Sequence, residues 1–275
     1  MTSLSSMPVS DTDNLKEKIL EENRRVHALE DKLYLKRHPE QTNFFQTRIL
    51  ERTVDGICSR LKNPDAHILD LGCGTGYLFL RLLERGYRVT GLDLSEEMIR
   101  VLDQDIPEES RPRARLVVSE VEEFARRDRG EDYDAVLLSA LLHHLFDYES
   151  VVRKYCEKLK PGGLFLVFFE PLKQEIVSPF RYALHKSLAR LDESIYRLEM
   201  KCWNISLFEE DYHFSDYQRQ FGGIDLVPLE EMLRGSGMEI LKIDKYCSRR
   251  YGLSAGVATR LLATQNTFNM LAEKT

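Results

Sequence analysis

The sequence has no Cys-x-x-Cys pair: its five cysteines, Cys58, Cys73, Cys156, Cys202 and Cys247, are scattered and odd in number. That argues against a zinc ribbon and against dithiol redox chemistry, and predicts reduced thiols packed as small apolar side chains. No group of residues shows metal-ligand spacing, so no bound metal is expected. There is no excess of positive charge either, the formal net charge being -6. Arg111, Arg113, Arg115, Arg126, Arg127 and Arg129 lie close together, but Glu108, Glu109, Glu120, Glu122, Glu123 and Asp128 are interleaved with them. The segment reads as a solvated surface of mixed sign, not as a nucleic-acid footprint. Long apolar runs are also missing. The longest, Leu164 to Phe169, falls far short of the roughly 20 residues that a membrane-spanning helix needs. Residues 1–13 carry neither the basic nor the apolar segment of a secretory signal, so a cytoplasmic protein is expected.

With 43% hydrophobic and 31% charged residues over 275 positions, the composition is that of an ordinary globular protein large enough for one α/β domain with an added cap. Leu15, Ile19, Val26, Leu29 and Leu33 follow helical spacing among many charges. A second helix carries Leu50, Val54, Ile57 and Leu61 on one stripe. Short apolar runs then alternate with helical patterns, the signature of βαβ units and a parallel sheet. Strands are predicted at 67–71, 88–92, 115–118, 135–139 and 164–169, with a turn imposed by Leu159-Lys160-Pro161-Gly162-Gly163 before the fifth.

After Glu170 the pattern changes, as Leu184, Leu188, Leu191, Ile195 and Leu198 recur at steps of three and four with no strand between them. An aromatic stretch follows, including Trp203, Phe208, Tyr212, Phe214, Tyr217 and Phe221. The chain returns to α/β form with a helix near 229–234 and a strand at 239–246, and a helix from about Leu253 leads to a last strand at 266–272. The expected organisation is an N-terminal tail and cap helix over residues 1–40, a core over 41–171, a helical and aromatic insertion over 172–223, and the rest of the core over 224–275.

The first functional signal is Asp70-Leu71-Gly72-Cys73-Gly74-Thr75-Gly76, running from a strand straight into a helix. Glycines at every second position let the backbone turn sharply and bring its amides close to a ligand. A dinucleotide fingerprint wants glycine where Tyr77 stands, and a phosphate loop wants a Gly-Lys-Ser or Gly-Lys-Thr ending that is absent. A ligand with a ribose but no pyrophosphate remains. Asp93, about twenty residues on at the end of the second strand, is placed to accept ribose hydroxyls, although a plain turn residue would also fit there. Ser95 is the expected cap of the next helix.

These features together resemble the class I S-adenosylmethionine-dependent methyltransferases: Asp70 to Gly76 as the glycine-rich motif, Asp93 after strand two, Ser139 to His144 after strand four, and Leu159 to Gly163 before strand five. The resemblance implies a Rossmann-like, doubly wound, mostly parallel seven-stranded sheet and S-adenosylmethionine as cofactor, leaving S-adenosylhomocysteine. It puts Gly72, Gly74 and Gly76 against the methionine part of the cofactor and counts Asp70, Cys73 and Ser139 among the residues that bind it. Asp93 holds the ribose, and Met98 packs on the adenine with Leu94 nearby. Where the family usually offers an aspartate near the adenine amine, this chain has Ser119-Glu120-Val121, so Glu120 and Val121 stand in that place.

Methyl transfer from a sulfonium needs alignment more than side-chain chemistry, and a base helps only when the acceptor must lose a proton. His143 and His144, beyond strand four, are candidate bases, and His213 in the insertion is a third. The alternative for the pair is a packing or capping role. Glu170 could face the acceptor or serve a turn. Trp203, Tyr212 and Tyr217 could line an acceptor pocket under a lid formed by the insertion, or form that cap's own small core. The Leu184–Leu198 stripe could instead meet a partner subunit, a second copy included, or a membrane surface, with Arg181, Lys186, Arg190, Arg197 and Lys201 toward lipid headgroups. The expected reading is a methyltransferase acting on a small molecule at oxygen, nitrogen or carbon. The alternatives are an RNA or protein methyltransferase, or a non-catalytic partner subunit of the same fold.

Overall fold

The computed structural model describes residues 9–29, 34–128, 132–173, 178–205 and 214–275. Among these, α1 (Val9–Leu29), α2 (Tyr34–Arg37), α3 (Pro39–Thr42) and α4 (Phe44–Cys58) precede the sheet. The alternating part follows as β1 (His67–Leu71), α5 (Phe79–Glu84), β2 (Arg88–Asp93), α6 (Glu96–Asp105), β3 (Ala114–Val118), α7 (Val121–Arg127), β4 (Tyr133–Ser139), α8 (Tyr148–Glu157) and β5 (Leu159–Pro171). The long α9 (Pro179–Cys202) is inserted before α10 (Leu226–Gly235), β6 (Met238–Tyr246), α11 (Gly252–Arg260) and β7 (Thr267–Lys274).

The seven strands form one sheet in the order β3-β2-β1-β4-β5-β7-β6. All neighbouring pairs are parallel except those made by β7, which runs antiparallel between β5 and β6. The expected α/β architecture is therefore present. Apolar side chains cover both faces of the central strands, which explains why β4 and β5 read as continuous hydrophobic runs and not as alternating ones. One core layer packs Val152, Tyr155 and Leu229 of α8 and α10 on the sheet. The other packs Leu50, Val54, Phe79 and Leu82 of α4 and α5 on the opposite face.

Local chemistry fixes the helix starts. The Ser95 side chain accepts the Met98 amide, Asp147 accepts that of Ser150, and Asn43 accepts those of Phe45 and Gln46. Such caps satisfy amides that have no partner within the first turn.

Strand five differs from expectation, since β5 already begins at Leu159 and the Pro-Gly-Gly segment is a bulge within it. Tyr133 pairs with Leu159, and the register then shifts so that Ala135 pairs with Leu164.

Gly76 also departs from its expected role. It has φ +95°, and a Cβ there would come within 2.5 Å of Leu102 and 2.9 Å of Leu80. It allows the helix after the loop to pack against its neighbours. Gly76→Ala is expected to lower stability by roughly 2–4 kcal/mol through left-handed strain plus overpacking. Thermal denaturation tests this, and a Tm equal to the parent's would show that the loop accommodates a methyl group.

Candidate active site

A cavity of about 930 Å³ opens beyond the C-terminal ends of β1, β2 and β4. In the sheet β1 and β4 are neighbours, while the chain from β1 leads on toward β2 and the chain from β4 toward β5. This is the switch point at which open α/β sheets bind ligands. The volume sits near the upper end of the roughly 300–1,000 Å³ range of small-molecule pockets, enough for more than one ligand.

The glycine loop forms one end. Gly72 and Gly74 have φ +66° and +51°, which glycine adopts without strain. A side chain at Gly74 would meet nothing within 4 Å, so the loop backbone there borders open space. Asp93 is held by two amides, accepting from Gly74 N at 2.9 Å and from Ser95 N at 2.8 Å. Each carboxylate oxygen keeps capacity for a further hydrogen bond, as ribose recognition requires. Met98, Leu94, Glu120, Val121 and Ser139 line the cavity beside it. Glu120 is tied to α1 by an ion pair of 3.3 Å to Lys16, which also reaches Glu122 at 2.6 Å.

Asp70 is the unusual group here. Its side chain is 1% exposed, and neither carboxylate oxygen accepts a hydrogen bond. Burial first, and then the charge of Asp93, push its pKa up from 3.8 to about 8, and a weak pull from the Phe79 amide offsets little of this. A buried, unsatisfied acid at the cavity wall is what a cationic group of a ligand would complete. The Cys73 thiol is pushed well above its ordinary range, by burial and then by the charges of Asp93 and Asp70. It is no nucleophile.

At the other side of the cavity stands His143, which is 4% exposed. Its Nδ1 lies 2.8 Å from Glu170 Oε2, while Glu170 accepts the backbone amides of Leu141 (2.5 Å), Leu142 (2.7 Å) and His143 (3.2 Å). Four donors thus converge on a fully buried carboxylate. An imidazole that donates Nδ1–H to a carboxylate carries its lone pair on Nε2. The fold aims this arrangement through two kinks. Ala140 and Phe169 both lie in the left-handed region, at φ 50° and 59°, and β5 shifts register against β7 between Val167 and Glu170. The Phe169 amide is anchored on Asn269 Oδ1 at 2.8 Å. The bulge turns Glu170 inward beneath the 141–143 turn.

His144 stacks beside His143 with ring centroids 4.0 Å apart and hydrogen-bonds through Nδ1 to the Ser215 carbonyl. Asp216 Oδ1 lies 3.6 Å from His143 Nε2 and 3.8 Å from His144 Nδ1. The three groups bring ligand atoms within 4.8 Å of one another. The sequence reading expects no metal site, whereas this trio has the spacing to surround a cation.

Helices roof the cavity. Leu20, Asn23 and Val26 of α1 line it, as do Tyr196 and Arg197 of α9. Asn23 Nδ2 donates to the His144 carbonyl at 3.4 Å, and Glu22 accepts the amides of Phe214 and Ser215 at 2.7 and 2.8 Å. Tyr196 is fixed by its hydroxyl, which donates to the Arg37 carbonyl at 2.9 Å, and by the Arg250 guanidinium stacked 3.8 Å above its ring. Behind it Asp192 accepts from Ser254 Oγ at 2.8 Å and pairs with Arg249 at 3.4 Å, both charges being buried.

Of the residues singled out from sequence, Asp70, Gly72, Cys73, Gly74, Asp93, Leu94, Met98, Glu120, Val121, Ser139, His143 and His144 all line this one cavity. Four do not. Gly76 faces Leu80 and Leu102, as described. Glu170 is 0% exposed, spends its oxygens on the 141–143 turn and His143, and does not line the cavity. Trp203, 58% exposed, caps the C-terminus of α9 on the outer surface. Tyr217 is buried between Phe146 and Phe221, with centroids at 5.5 and 5.4 Å, as core of the cap. Tyr212 and His213 fall outside the described residues. Sequence reasoning missed Asn23, Tyr196, Asp216, Arg249 and Arg250, which only long-range packing brings together.

Residues 68–163 match the family described as "Methyltransferase domain". A ubiquinone biosynthesis O-methyltransferase of Xanthomonas campestris pv. campestris is 35% identical over 114 residues, 41% of this chain and 47% of that protein. The chain thus spans about half the length of the curated relatives it matches. Among solved structures, magnesium protoporphyrin IX methyltransferase of Synechocystis, with bound S-adenosylhomocysteine, superposes with a TM-score of 0.53 at 14% identity, covering 96% of this chain and 97% of that one. The cyclase SpnF also gives 0.53, at 18% identity over 82% of this chain and 80% of that one. The shared fold therefore accommodates more than one reaction, and the site must carry the functional argument.

Proposed function

We propose that this chain, whose residues 68–163 match a methyltransferase domain, is a class I S-adenosylmethionine-dependent methyltransferase and that it methylates a hydroxyl group of a small-molecule acceptor. The observation that carries this reading is a single cavity with a cofactor-shaped cradle at one end and, at the other, an imidazole whose Nδ1 is held by a fully buried carboxylate. Bound S-adenosylmethionine supplies the electrophilic methyl group. The chain holds it with the Gly72–Gly74 backbone, receives the ribose on Asp93, offers Asp70 to the ammonium of the methionine part, and packs Met98, Leu94 and Val121 on the base.

A neutral alcohol or phenol oxygen is a poor nucleophile and must lose its proton as the new bond forms. The Nε2 lone pair of His143 accepts that proton, and Glu170 stabilises the resulting imidazolium through Nδ1. Leu141, Leu145, Phe169 and Tyr196 give the acceptor end an apolar wall. Helices α1 and α9 exclude water from it, which favours in-line displacement over side reactions. The name of the Xanthomonas relative, an O-methyltransferase, supports the same acceptor atom.

Calorimetric titration with S-adenosylhomocysteine and S-adenosylmethionine, with NAD as control, tests the first half of this reading. The two adenosyl compounds are expected to bind. Asp93→Ala is expected to weaken them by about 10–100-fold, the worth of hydrogen bonds to a charged group. Transfer of an isotope-labelled methyl group to a panel of phenols, catechols and amines tests the second half. Failure of the parent protein to bind either adenosyl compound would sink the cofactor assignment, and transfer to amines alone would sink the hydroxyl.

A further inference from the structure

The outer side of α9 carries a feature that the cavity does not use. Its inner face, His185, Asp192, Tyr196 and Met200, packs on the body of the protein, whereas Phe180, Leu184, Leu191, Ile195 and Leu198 form an outward stripe at steps of three, four and seven residues. Leu198 and Phe180 are 63% and 72% exposed, and Trp203 at the end of the helix is 58% exposed. A continuous apolar stripe of this kind on a surface helix marks a docking face.

The flanking charges say what docks. Arg181, Lys186, Arg190 and Lys201 are all exposed on this helix, while Arg197 pairs with Glu193. The helix's three acids are all engaged: Asp192, buried, by Ser254 and Arg249, Glu193 by Arg197 and Arg250, Glu199 by the Tyr251 hydroxyl. In a chain of net charge -6, one helix thus shows solvent an apolar centre with a predominantly cationic rim, its acids being paired within the protein. A second copy would bring the same positive rim against it. An anionic lipid surface complements it, the apolar ridge entering the acyl boundary while the cations meet headgroups. No helix among the described residues is long and apolar enough to cross a membrane, and α9, with 24 residues, about 36 Å at 1.5 Å per residue, would lie in the plane of the surface.

We propose that α9 docks the protein on an anionic lipid surface through its Phe180–Leu198 stripe and basic rim. The same helix lines the cavity through Glu193, Tyr196 and Arg197, so docking sets the acceptor end of the cavity beside the bilayer, where an amphiphilic acceptor resides. The docking itself does not rest on the methyl-transfer reading, because lipid binding is measured with no cofactor present.

The experiment is co-flotation of the full chain with vesicles of phosphatidylcholine alone and of phosphatidylcholine mixed with phosphatidylglycerol. Two variants accompany it, Leu191→Glu with Leu198→Glu, and Lys186→Glu with Arg190→Glu, each with its Tm matched to the parent to establish an intact fold. Binding is expected only to the anionic vesicles, is released by added salt, and falls at least about tenfold in both variants. Equal or absent binding to the two vesicle types overturns the proposal, as does binding that survives both variants. A concentration-dependent dimer in light scattering that Leu191→Glu with Leu198→Glu dissociates, without vesicle binding, assigns the stripe to a second copy instead.

Discussion

Replacing His143 by alanine is expected to lower kcat by about 10²–10⁴-fold while leaving the Kd for S-adenosylhomocysteine within a few-fold of the parent, because the imidazole faces the acceptor end of the cavity and not the glycine loop. The more telling variant is Glu170→Gln. The carboxylate accepts Leu141 N, Leu142 N and His143 N as well as Nδ1 of the ring. A glutamine keeps one oxygen, which satisfies the Leu141 and Leu142 amides that share Oε1. Its amide nitrogen then points at His143 Nδ1 and donates to it. The ring is forced into the tautomer with the proton on Nε2 and the lone pair toward the glutamine, where it cannot take a proton from the acceptor. Two of the three backbone amides keep their acceptor, only the long His143 N contact of 3.2 Å loses it, and the base is lost.

Glu170→Gln should therefore fall as far as His143→Ala, and the double variant should fall no further than either one alone, since the two side chains act as a unit. A merely structural role for Glu170 predicts something different: lower stability with kcat preserved in the surviving fold. Steady-state kinetics with a hydroxyl acceptor, read alongside Tm, distinguishes the two. A kcat within a few-fold of the parent in His143→Ala, with cofactor binding intact, would remove the base from the mechanism and leave alignment alone as the source of the rate.

The way these residues were met in the sequence follows the range of the forces that place them. The glycine loop and Asp93 were legible because they sit at the ends of adjacent parallel strands, where period, turn chemistry and ligand geometry all act within about twenty residues. His143 and His144 were legible for the same reason, one strand further on. Glu170 stands out by its place at the end of a strand, but its direction, toward the acceptor or into a turn, stays open in the sequence. Alternation along β5 gives no warning of the left-handed Phe169, which resets the side-chain parity so that the next residue turns under the neighbouring strand.

The aromatic content of the insertion left a pocket lining and a cap core both open. Trp203 and Tyr217 looked alike in the sequence, yet one is on the outer surface and the other is locked between two phenylalanines, because composition does not say which face a helix turns inward. Tyr196 went unremarked as a single ring in a leucine-rich helix, although its position is fixed by Arg250 and by the Arg37 carbonyl, residues 54 and 159 positions away in sequence. Contacts of that range leave no local pattern to read. The mostly parallel seven-stranded sheet was legible from strand spacing together with the family resemblance, whereas the β5 bulges that shape the site were not.

Binding of S-adenosylhomocysteine near pH 7 is expected to expel roughly one proton from the protein, and Asp70→Asn is expected to abolish that release while weakening the complex by about 10–100-fold. Asp70 is buried, accepts no hydrogen bond, and titrates at about 8 in the free protein, because burial and the neighbouring Asp93 both disfavour its charge. At neutral pH it is therefore mostly protonated. An ammonium group placed against it reverses the balance, the carboxyl ionises, and its proton leaves. Calorimetry in buffers of different ionisation enthalpy reads the proton count directly, and the count should shrink as the pH passes 8 and the free protein has already lost the proton.

The same shift has a consequence for folding. An acid whose pKa is higher in the folded state binds a proton that the unfolded chain has already released above pH 4. Stability therefore declines as the pH rises from about 4 to about 8 and levels off beyond, the reverse of the usual salt-bridged carboxylate. With a shift from 3.8 to about 8 and about 1.4 kcal/mol per unit, the effect is on the order of 5 kcal/mol as an upper bound. Asp70→Asn carries no charge to bury, so it should be the more stable protein at pH 8 and should lack that decline. Identical stability slopes for parent and variant between pH 5 and 8, together with no proton release on binding, would show that Asp70 is ionised and satisfied in the free protein. The predicted outcome means instead that the cavity is built with one acid held out of balance, and that a cationic ligand gains affinity by restoring it.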